Sequence, residues 1–188
     1  MYWKPEQADM PDQKSYGKVH VYTGEGKGKT TAALGLALRA VGHGKRVLIV
    51  QFLHGNKQAG EFLAQNRLAP HVEIVQFGTP EGANVLNPSD IDLYIAQQAM
   101  EYIRKEMVRR RPDILILDEI LPAIHFGLLD VKDVVDFLEN KHAQLEVVLT
   151  GRYAHPEILN RADLITVMQS VKSYLTAEGF EGRQGIEH

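Results

Sequence analysis

The amino-acid sequence predicts an α/β fold, with a mostly parallel β-sheet flanked by helices. Short apolar runs alternate along the chain with longer segments whose apolar residues have helical spacing. Several of the runs, such as RVLIVQF and DILILDE, are apolar nearly from end to end, which is typical of parallel strands covered on both faces. Residues with distinctive chemistry follow these runs, and ligands bind at the carboxyl ends of the strands in such sheets.

Each predicted element has a local signal. In chain order, the predicted strands are KVHVYT, RVLIVQF, VEIVQF, DILILDE, EVVLTGR and LITVMQ. The predicted helices are TTAALGLALRAV, AGEFLAQNRLA, IDLYIAQQAMEYIRKEMVRRR, ILPAIHFG and VKDVVDFLENK. Ser89 is the expected N-cap of the long third helix, and Pro112 closes that helix before the fourth strand.

Length and charge limit the architecture and the partners. A chain of 188 residues can bury one full core, so we predict a single domain over residues 17–188 after an extension of residues 1–16. The formal net charge is −3 without basic runs, which argues against nucleic acid as a partner. No apolar run approaches the ~20 residues of a membrane helix. The polar, acidic N-terminal segment differs from a signal or transit peptide, so we expect a cytoplasmic protein.

The segment TGEGKGKTT, residues 23–31, follows the first predicted strand and opens the first predicted helix. A strand, a glycine-rich turn and Gly-Lys-Thr at a helix start form the P-loop arrangement. In this arrangement, backbone N–H groups and the helix N-terminus point at phosphate oxygens. We predict that Gly24, Gly26 and Gly28 allow this close backbone approach. The alternative is an ordinary glycine-rich turn between a strand and a helix.

The polar residues of the segment have separate predicted roles. Lys29 is the cation for the outer phosphates, and Thr30 provides the hydroxyl on the metal side. Lys27 is either an exposed solubilising lysine or a second phosphate contact. Thr23 stands where the usual pattern has its first glycine, so the loop has the usual length but an altered first residue.

The fourth predicted strand ends in two carboxylates, Asp118 and Glu119. This position puts both at the edge of the sheet, within reach of a metal ion on bound phosphates. The alternative is that they cap the helix that follows. Because a P-loop lies upstream, the metal role is favoured, above all for Asp118.

Two arginines, Arg152 and Arg39, are candidate phosphate contacts. Arg152, in the TGR that ends the fifth predicted strand, either forks onto phosphate or forms a surface salt bridge. Arg39, on the first predicted helix, has the same two interpretations.

At this point the sequence resembles a known family, the ATP:cob(I)alamin adenosyltransferases of the CobA/BtuR type. The resemblance is carried by TGEGKGKTTAALGLALRAVGHGKRVLIVQFLHG, by LDE, by VVLTGRYAHPEIL and by a tail with VK and QGIE. It covers the chain from about Gly17 to the C-terminus. GKGKTT combined with RAVGHGK and a strand ending in VQF is much more specific than a P-loop alone, and a threonine at the position of Thr23 is usual in this family.

The resemblance implies a RecA-like P-loop fold and an unusual reaction. Members of the family transfer the 5′-deoxyadenosyl group of ATP to a reduced corrinoid, either cobalamin or a cobyrinic acid a,c-diamide precursor, and release triphosphate. Co(I) is already a strong nucleophile, so the protein needs no general base. Its tasks are alignment, stabilisation of the leaving group and exclusion of water or oxidants.

The resemblance also implies residue roles and partners. Lys29 and Thr30 are the implied catalytic residues, and Thr30, Asp118 and Glu119 are the implied ligands of Mg²⁺ or Mn²⁺. The implied nucleotide contacts are Gly24, Glu25, Gly26, Lys27, Gly28, Lys29, Thr30, Thr31, Arg39, Glu119 and Arg152. A homodimer is implied, and a flavin-type reductase is compatible as the source of electrons.

One segment departs from the family pattern. Where members carry a Phe and a Trp two residues apart, which help to remove the lower ligand of cobalt, this chain has FGTPEGANVLNPSD, beginning at Phe77. The only tryptophan is Trp3. Tyr2 and Trp3 in the extension are therefore candidates for covering the corrin ring, and a disordered tail is the alternative.

Two other functions are compatible with the P-loop residues alone. A hydrolase or kinase would use the same loop for phosphoryl transfer, with Glu119 aiming the nucleophile. A non-catalytic ATP-sensing module would bind ATP and carry a corrinoid to a partner enzyme. Triphosphate as the product favours adenosyl transfer over the first alternative, and turnover with reduced cobalamin favours it over the second.

Overall fold

The chain folds around one parallel sheet. In this computed structural model, which describes residues 17–80, 82–175 and 182–187, six strands lie in the order β3-β2-β4-β5-β1-β6 and every neighbouring pair is parallel. The strands are β1 Val19–Thr23, β2 Val47–Phe52, β3 Val72–Phe77, β4 Ile114–Asp118, β5 Glu146–Thr150 and β6 Leu164–Val167. The predicted fold class is confirmed. In the same part of the chain, no helix combines the length and hydropathy needed to cross a membrane.

Helices connect the strands on both faces of the sheet. They are α1 Lys29–Val41, α2 Gly60–Leu68, α3 Asp90–Arg109, α4 Ile120–His125, α5 Val131–Glu139 and α6 Pro156–Leu159. The predicted cap of α3 is present, because the Ser89 hydroxyl accepts from the Asp92 N–H and the Asp92 carboxylate accepts from the Ser89 N–H. Helix α6 was not predicted from the sequence, since a single turn is too short to show helical periodicity.

The two faces of the sheet are covered unequally. Alternate residues of β2 point to opposite sides, with Leu48 and Val50 in the larger apolar cluster and Val47 and Ile49 in the smaller one. The larger cluster packs against α3, α4 and α5. The smaller cluster packs against α1 and α2, and α1 contributes three alanines at helical spacing: Ala33, Ala37 and Ala40. These small side chains bring α1 close to the sheet and place its first turn over the carboxyl edge.

The predicted division into an extension and a domain stays a prediction. The extension of residues 1–16, which contains Tyr2 and Trp3, lies outside the described residues.

Candidate active site

A cavity of about 540 Å³ opens at the carboxyl edge of the sheet. Its wall includes the first turns of α1 and α2, the ends of β2, β3 and β4, and residues 185–187. This volume is within the ~300–1,000 Å³ that is typical of small-molecule sites. The cavity therefore lies at the carboxyl ends of parallel strands, the edge of the sheet at which the sequence predicts a ligand site.

The side chain of Lys29 is bound to the backbone of the loop between β1 and α1. Lys29 is only 8% exposed, and its Nζ donates to the carbonyl oxygens of Gly24 (2.9 Å) and Gly26 (2.8 Å). Burial lowers the pKa of Lys29, although the nearby carboxylate of Glu119 opposes this. The ammonium group is thus fixed inside the loop, where an incoming anion would compete with the two carbonyl oxygens.

The loop glycines allow the loop to pack closely against another segment of the protein. A Cβ on Gly24 would lie 2.4 Å from the carbonyl oxygen of Met168, and one on Gly26 would lie 2.9 Å from backbone atoms of Met168 and Gln169. The Gly26 N–H also donates to the Met168 carbonyl oxygen at 2.8 Å. Gly28 has a φ of 117°, which favours glycine. Two of the three predicted glycines therefore let the loop pack on the segment after β6.

The altered first position of the motif has a simple explanation. Thr23 is the last residue of β1, where it pairs with Val167 of β6. Its carbonyl oxygen accepts from the Met168 N–H at 2.8 Å. Strand backbone does not require glycine, so threonine is tolerated there.

The centre of the site is the buried carboxylate of Asp118. It is 4% exposed, and its Oδ1 accepts from the hydroxyls of Thr30 (2.8 Å) and Thr150 (2.6 Å). Its Oδ2 accepts from the Gln51 side-chain amide at 3.3 Å. Three neighbouring segments of the fold thus converge on one carboxylate, and they bring the Thr30 hydroxyl into direct contact with Asp118.

The carboxylates of this edge are harder to ionise than usual. Burial raises the pKa of Asp118, and the hydrogen bonds from Thr150, Thr30 and Gln51 only partly offset this. Burial and the charge of Asp118 also raise the pKa of Glu119. A bound cation would favour the ionised form of both carboxylates.

The backbone of Glu119 is fixed in the left-handed region, with a φ of 58°. Its N–H donates to the hydroxyl of Thr150 at 2.9 Å. This hydroxyl therefore holds both carboxylate-bearing residues at the end of β4.

A group of polar residues beside Asp118 was not predicted from the sequence. Gln51 donates to Glu61 (3.1 Å), and Gln76 donates to Gln51 (3.0 Å) and to the Asn56 carbonyl oxygen (3.0 Å). All four residues line the cavity. The signal was in the sequence, because β2 and β3 end in the same letters, VQF, at the edge where ligands bind.

Arg152 contacts the loop from outside, and Lys27, within the loop, points its side chain toward residues 185–187. The guanidinium of Arg152 pairs with the Glu25 carboxylate at 3.1 Å and donates to the Glu25 carbonyl oxygen at 3.4 Å. Lys27 is exposed, lines the cavity, and donates to the Ile186 carbonyl oxygen at 3.3 Å. Thr31 lines the same part of the cavity.

Arg39 is placed differently from the other predicted contacts. It is exposed in the last turn of α1, ten residues after Lys29, which corresponds to ~15 Å along a helix. It does not line the cavity. Within one chain the structure therefore does not bring Arg39 to the phosphate loop.

Phe77 also differs from the aromatic residue that the resemblance suggested. It ends β3 and packs against Tyr102 of α3, with ring centroids 5.5 Å apart. Its ring is part of the packing between sheet and helix.

Comparison with solved structures supports the fold. A KaiC-like protein from Pyrococcus horikoshii aligns with a TM-score of 0.55 and 17% sequence identity, covering 82% of this chain and 72% of that one. At this identity the similarity concerns the fold alone, and it confirms the RecA-like P-loop architecture.

Comparison with known sequences supports the family. Corrinoid adenosyltransferases from Escherichia coli (strain K12) and Salmonella typhimurium are 35% and 34% identical over 177 residues, covering 94% of this chain and 88% of each relative. One from Sinorhizobium sp. is 36% identical over 185 residues, covering 96% of this chain and 83% of the relative. The family model for ATP:corrinoid adenosyltransferase BtuR/CobO/CobP matches residues 15–188. The chain therefore belongs to the ATP:corrinoid adenosyltransferase family.

Proposed function

We propose that this enzyme binds ATP with its triphosphate in the loop of residues 24–31 and transfers the 5′-deoxyadenosyl group to Co(I) of cobalamin or of a cobyrinic acid a,c-diamide precursor. The electron pair of Co(I) forms a bond to the 5′ carbon of ribose. The bond between that carbon and its oxygen breaks, and its electrons leave with triphosphate. Cobalt is formally oxidised to Co(III), and no proton has to be removed.

One observation carries this assignment of roles. The Thr30 hydroxyl donates to the Asp118 carboxylate at the start of α1, where both residues line the cavity, and the Lys29 ammonium is held in the adjoining loop. This is where the negative charge of a departing triphosphate would build up. Together with the loop N–H groups, Lys29 would neutralise that charge, and loss of one such contact costs ~3 kcal/mol in the transition state.

The residues present also fit a magnesium ion. Mg²⁺ prefers hard oxygen ligands and is commonly held by one or two carboxylates together with substrate phosphates. The Thr30 hydroxyl and the Asp118 carboxylate lie 2.8 Å apart at the loop, and Glu119 follows directly. In this proposal these residues hold Mg²⁺ or Mn²⁺, which would supply positive charge to the triphosphate. Titrating Mn²⁺ by electron paramagnetic resonance in the presence of ATP tests it, with weaker binding expected for Asp118→Asn.

The central experiment is an anaerobic assay with ATP, magnesium and chemically reduced cobalamin, following the light-sensitive cobalt–carbon bond. We expect clear turnover in the wild type and a loss of at least ~100-fold in Lys29→Ala. Lys132→Ala, at an exposed position of α5, is the matched control and should keep the wild-type rate. Equal rates for Lys29→Ala and the wild type would contradict the role of Lys29.

The product identifies the reaction. Triphosphate supports adenosyl transfer, whereas ADP and phosphate would indicate phosphoryl transfer, and ATP binding without turnover would indicate a carrier. The family comparisons give no support to either alternative. We further propose a cytoplasmic homodimer that receives electrons from a flavin-type reductase. Sedimentation of the purified chain tests the dimer.

A further inference from the structure

A single buried amide joins two carboxylates in the cavity wall. The Gln51 Nε2 donates to Asp118 Oδ2 at 3.3 Å and to Glu61 Oε1 at 3.1 Å. Asp118 ends β4 and Glu61 stands in the first turn of α2, so the amide of β2 links two other elements of the fold. Gln51 is only 7% exposed, and a side chain packed in this way has little freedom to turn. The amide is therefore a fixed part of the cavity wall.

The direction of this amide is determined by a backbone group. An amide side chain has a donor end and an acceptor end, and a half-turn exchanges them. The Asn56 carbonyl oxygen can only accept, and it accepts from Gln76 Nε2 at 3.0 Å. The same Nε2 donates to Gln51 Oε1 at 3.0 Å. The acceptor end of Gln51 therefore faces Gln76, and its donor end faces the two carboxylates.

The two oxygens of Asp118 are held by different partners. Oδ1 accepts from the hydroxyls of Thr30 and Thr150, and within the described chain Gln51 is the donor to Oδ2. A carboxylate can rotate about the bond to its Cβ unless both oxygens are held. Glu61 is also close enough for its negative charge to act on Asp118. Without the amide, Asp118 would lose a restraint on its rotation, and the two carboxylates would repel each other without a shared donor.

We propose that Gln51 is a positioning residue of the active site, which holds the plane of the Asp118 carboxylate and fixes Glu61 beside it. This inference rests on the proposed function, in which Asp118 helps to hold Mg²⁺ or Mn²⁺, and it adds a residue that acts only through Asp118. It also predicts a preference among ions. Mg²⁺ demands near-ideal octahedral geometry, whereas Ca²⁺ accepts a flexible arrangement of oxygen ligands. A carboxylate held through both oxygens therefore favours the smaller ion.

The test measures ion preference in Gln51→Met, which keeps the approximate size of the side chain and removes the amide. Mn²⁺ is bound with ATP to the full chain, followed by electron paramagnetic resonance, and displaced by Mg²⁺ or by Ca²⁺. We expect the affinity for Mg²⁺ to fall about 10-fold, as for other residues that orient a metal ligand, and the affinity for Ca²⁺ to stay within about twofold. The ratio of the two affinities is the readout, because a general loss of stability would not change it.

Two further variants complete the test. Gln76→Met removes the group that sets the direction of the Gln51 amide, so it should lower the same ratio by about threefold. Gln65→Met is the matched control. The Gln65 side chain also makes two hydrogen bonds, to the Phe62 carbonyl oxygen and from the Ile74 N–H, both at 2.9 Å, but it lies outside the described cavity wall. This variant should leave the ratio unchanged.

The remaining outcomes overturn the inference. An unchanged ratio in Gln51→Met, or equal weakening of both ions, would show that the amide supports the fold without positioning Asp118. An equal fall in Gln65→Met would show that the ratio reports general loosening. If Gln51→Met does not fold, the ratio in Gln76→Met decides, and an unchanged value there contradicts the proposal. Failure of the proposed function looks different, because the wild type would keep its Gln51-dependent preference for Mg²⁺ and still form no cobalt–carbon bond.

Discussion

Carboxylates at the two edges of the sheet, the buried Asp118 and the half-buried Glu146, have pKa values shifted in opposite directions. At the carboxyl edge, burial raises the pKa of Asp118, and its hydrogen-bond donors are two hydroxyls and an amide. At the amino edge, burial also acts to raise the pKa of Glu146, but hydrogen bonds from His20 and from the Lys18 N–H lower it below its usual range. The surrounding hydrogen-bond donors therefore decide whether the ionised form of each carboxylate is stabilised.

The contrast reflects different tasks. At the amino edge, the Glu146 and Asp163 carboxylates accept from the N–H groups of Lys18 and Val19 at 2.8 Å each, which joins the starts of β5, β1 and β6. The carboxylates at the amino edge thus have hydrogen-bond donors within the protein. At the carboxyl edge, the hydrogen bonds to Asp118 come from neutral donors, so under the proposed function a cation that arrives with the substrate would balance its charge. The charge of Glu146 therefore stabilises the fold, whereas the charge of Asp118 costs stability.

The largest effect is expected for Asp118→Asn. Without the carboxylate, metal-dependent turnover should fall by at least ~100-fold. Because the folded-state pKa of Asp118 is raised, its ionised form costs stability above that pKa and the cost disappears as the pH falls. The variant should therefore be more stable than the wild type by about 1 kcal/mol at pH 7.5, with a smaller difference in acid. Urea unfolding at two pH values measures this, and a large loss of stability would show that Asp118 is structural.

A smaller effect on the same edge is expected for Thr150→Val. The change removes a donor to Asp118 and the acceptor of the Glu119 N–H. Because the lost hydrogen bond lowers the pKa of Asp118, the acid limb of the pH–rate profile should move to higher pH, with a drop in kcat/KM of about 10-fold. Leaving buried polar groups unpaired should cost about 2 kcal/mol of stability. Thr150→Ser, which keeps a hydroxyl, is the control. If the acid limb were unchanged in Thr150→Val, the Thr150 hydroxyl would have no influence on the ionisation of Asp118 during turnover.

At the amino edge, Glu146→Gln should affect stability alone. The wild-type carboxylate has a lowered pKa, so it stabilises the fold above pH 4.5 and loses this contribution as the pH falls through the folded-state value. The variant should be about 1 kcal/mol less stable at neutral pH, and its stability should fall less steeply in acid. Turnover should stay within twofold of the wild type. A tenfold lower rate would contradict this and show that Glu146 also influences catalysis at the carboxyl edge.

The smallest effect is expected for Gly35→Ala, which lies outside both edges. Gly35 is exposed within α1, and an added Cβ would meet no atom within 4 Å. Alanine should stabilise the helix by ~0.8 kcal/mol without changing turnover. Thermal unfolding measures the gain, and a loss of stability would indicate an unrecognised constraint on α1.

Much of the fold followed from local patterns. All the strands and the five longer helices were predictable because their periodicity, caps and glycine or proline ends are local in sequence. The one-turn helix α6 was not, and neither was the role of the glycines. Gly24 and Gly26 were assigned to phosphate approach, but their nearest obstacle is the backbone of Met168, which follows the last strand and cannot be placed beside the loop by reading the loop alone.

The candidate site divides in the same way. The amino-acid sequence by itself determined the phosphate loop, the strand-end carboxylates and the family, because a loop conformation and a motif depend on neighbours along the chain. Only the tertiary structure decided which groups surround Asp118, why its charge is unfavourable, and that the C-terminal segment lines the cavity. These depend on contacts between residues 88 and 159 positions apart, and burial, which sets the charge, exists only once those segments have packed together.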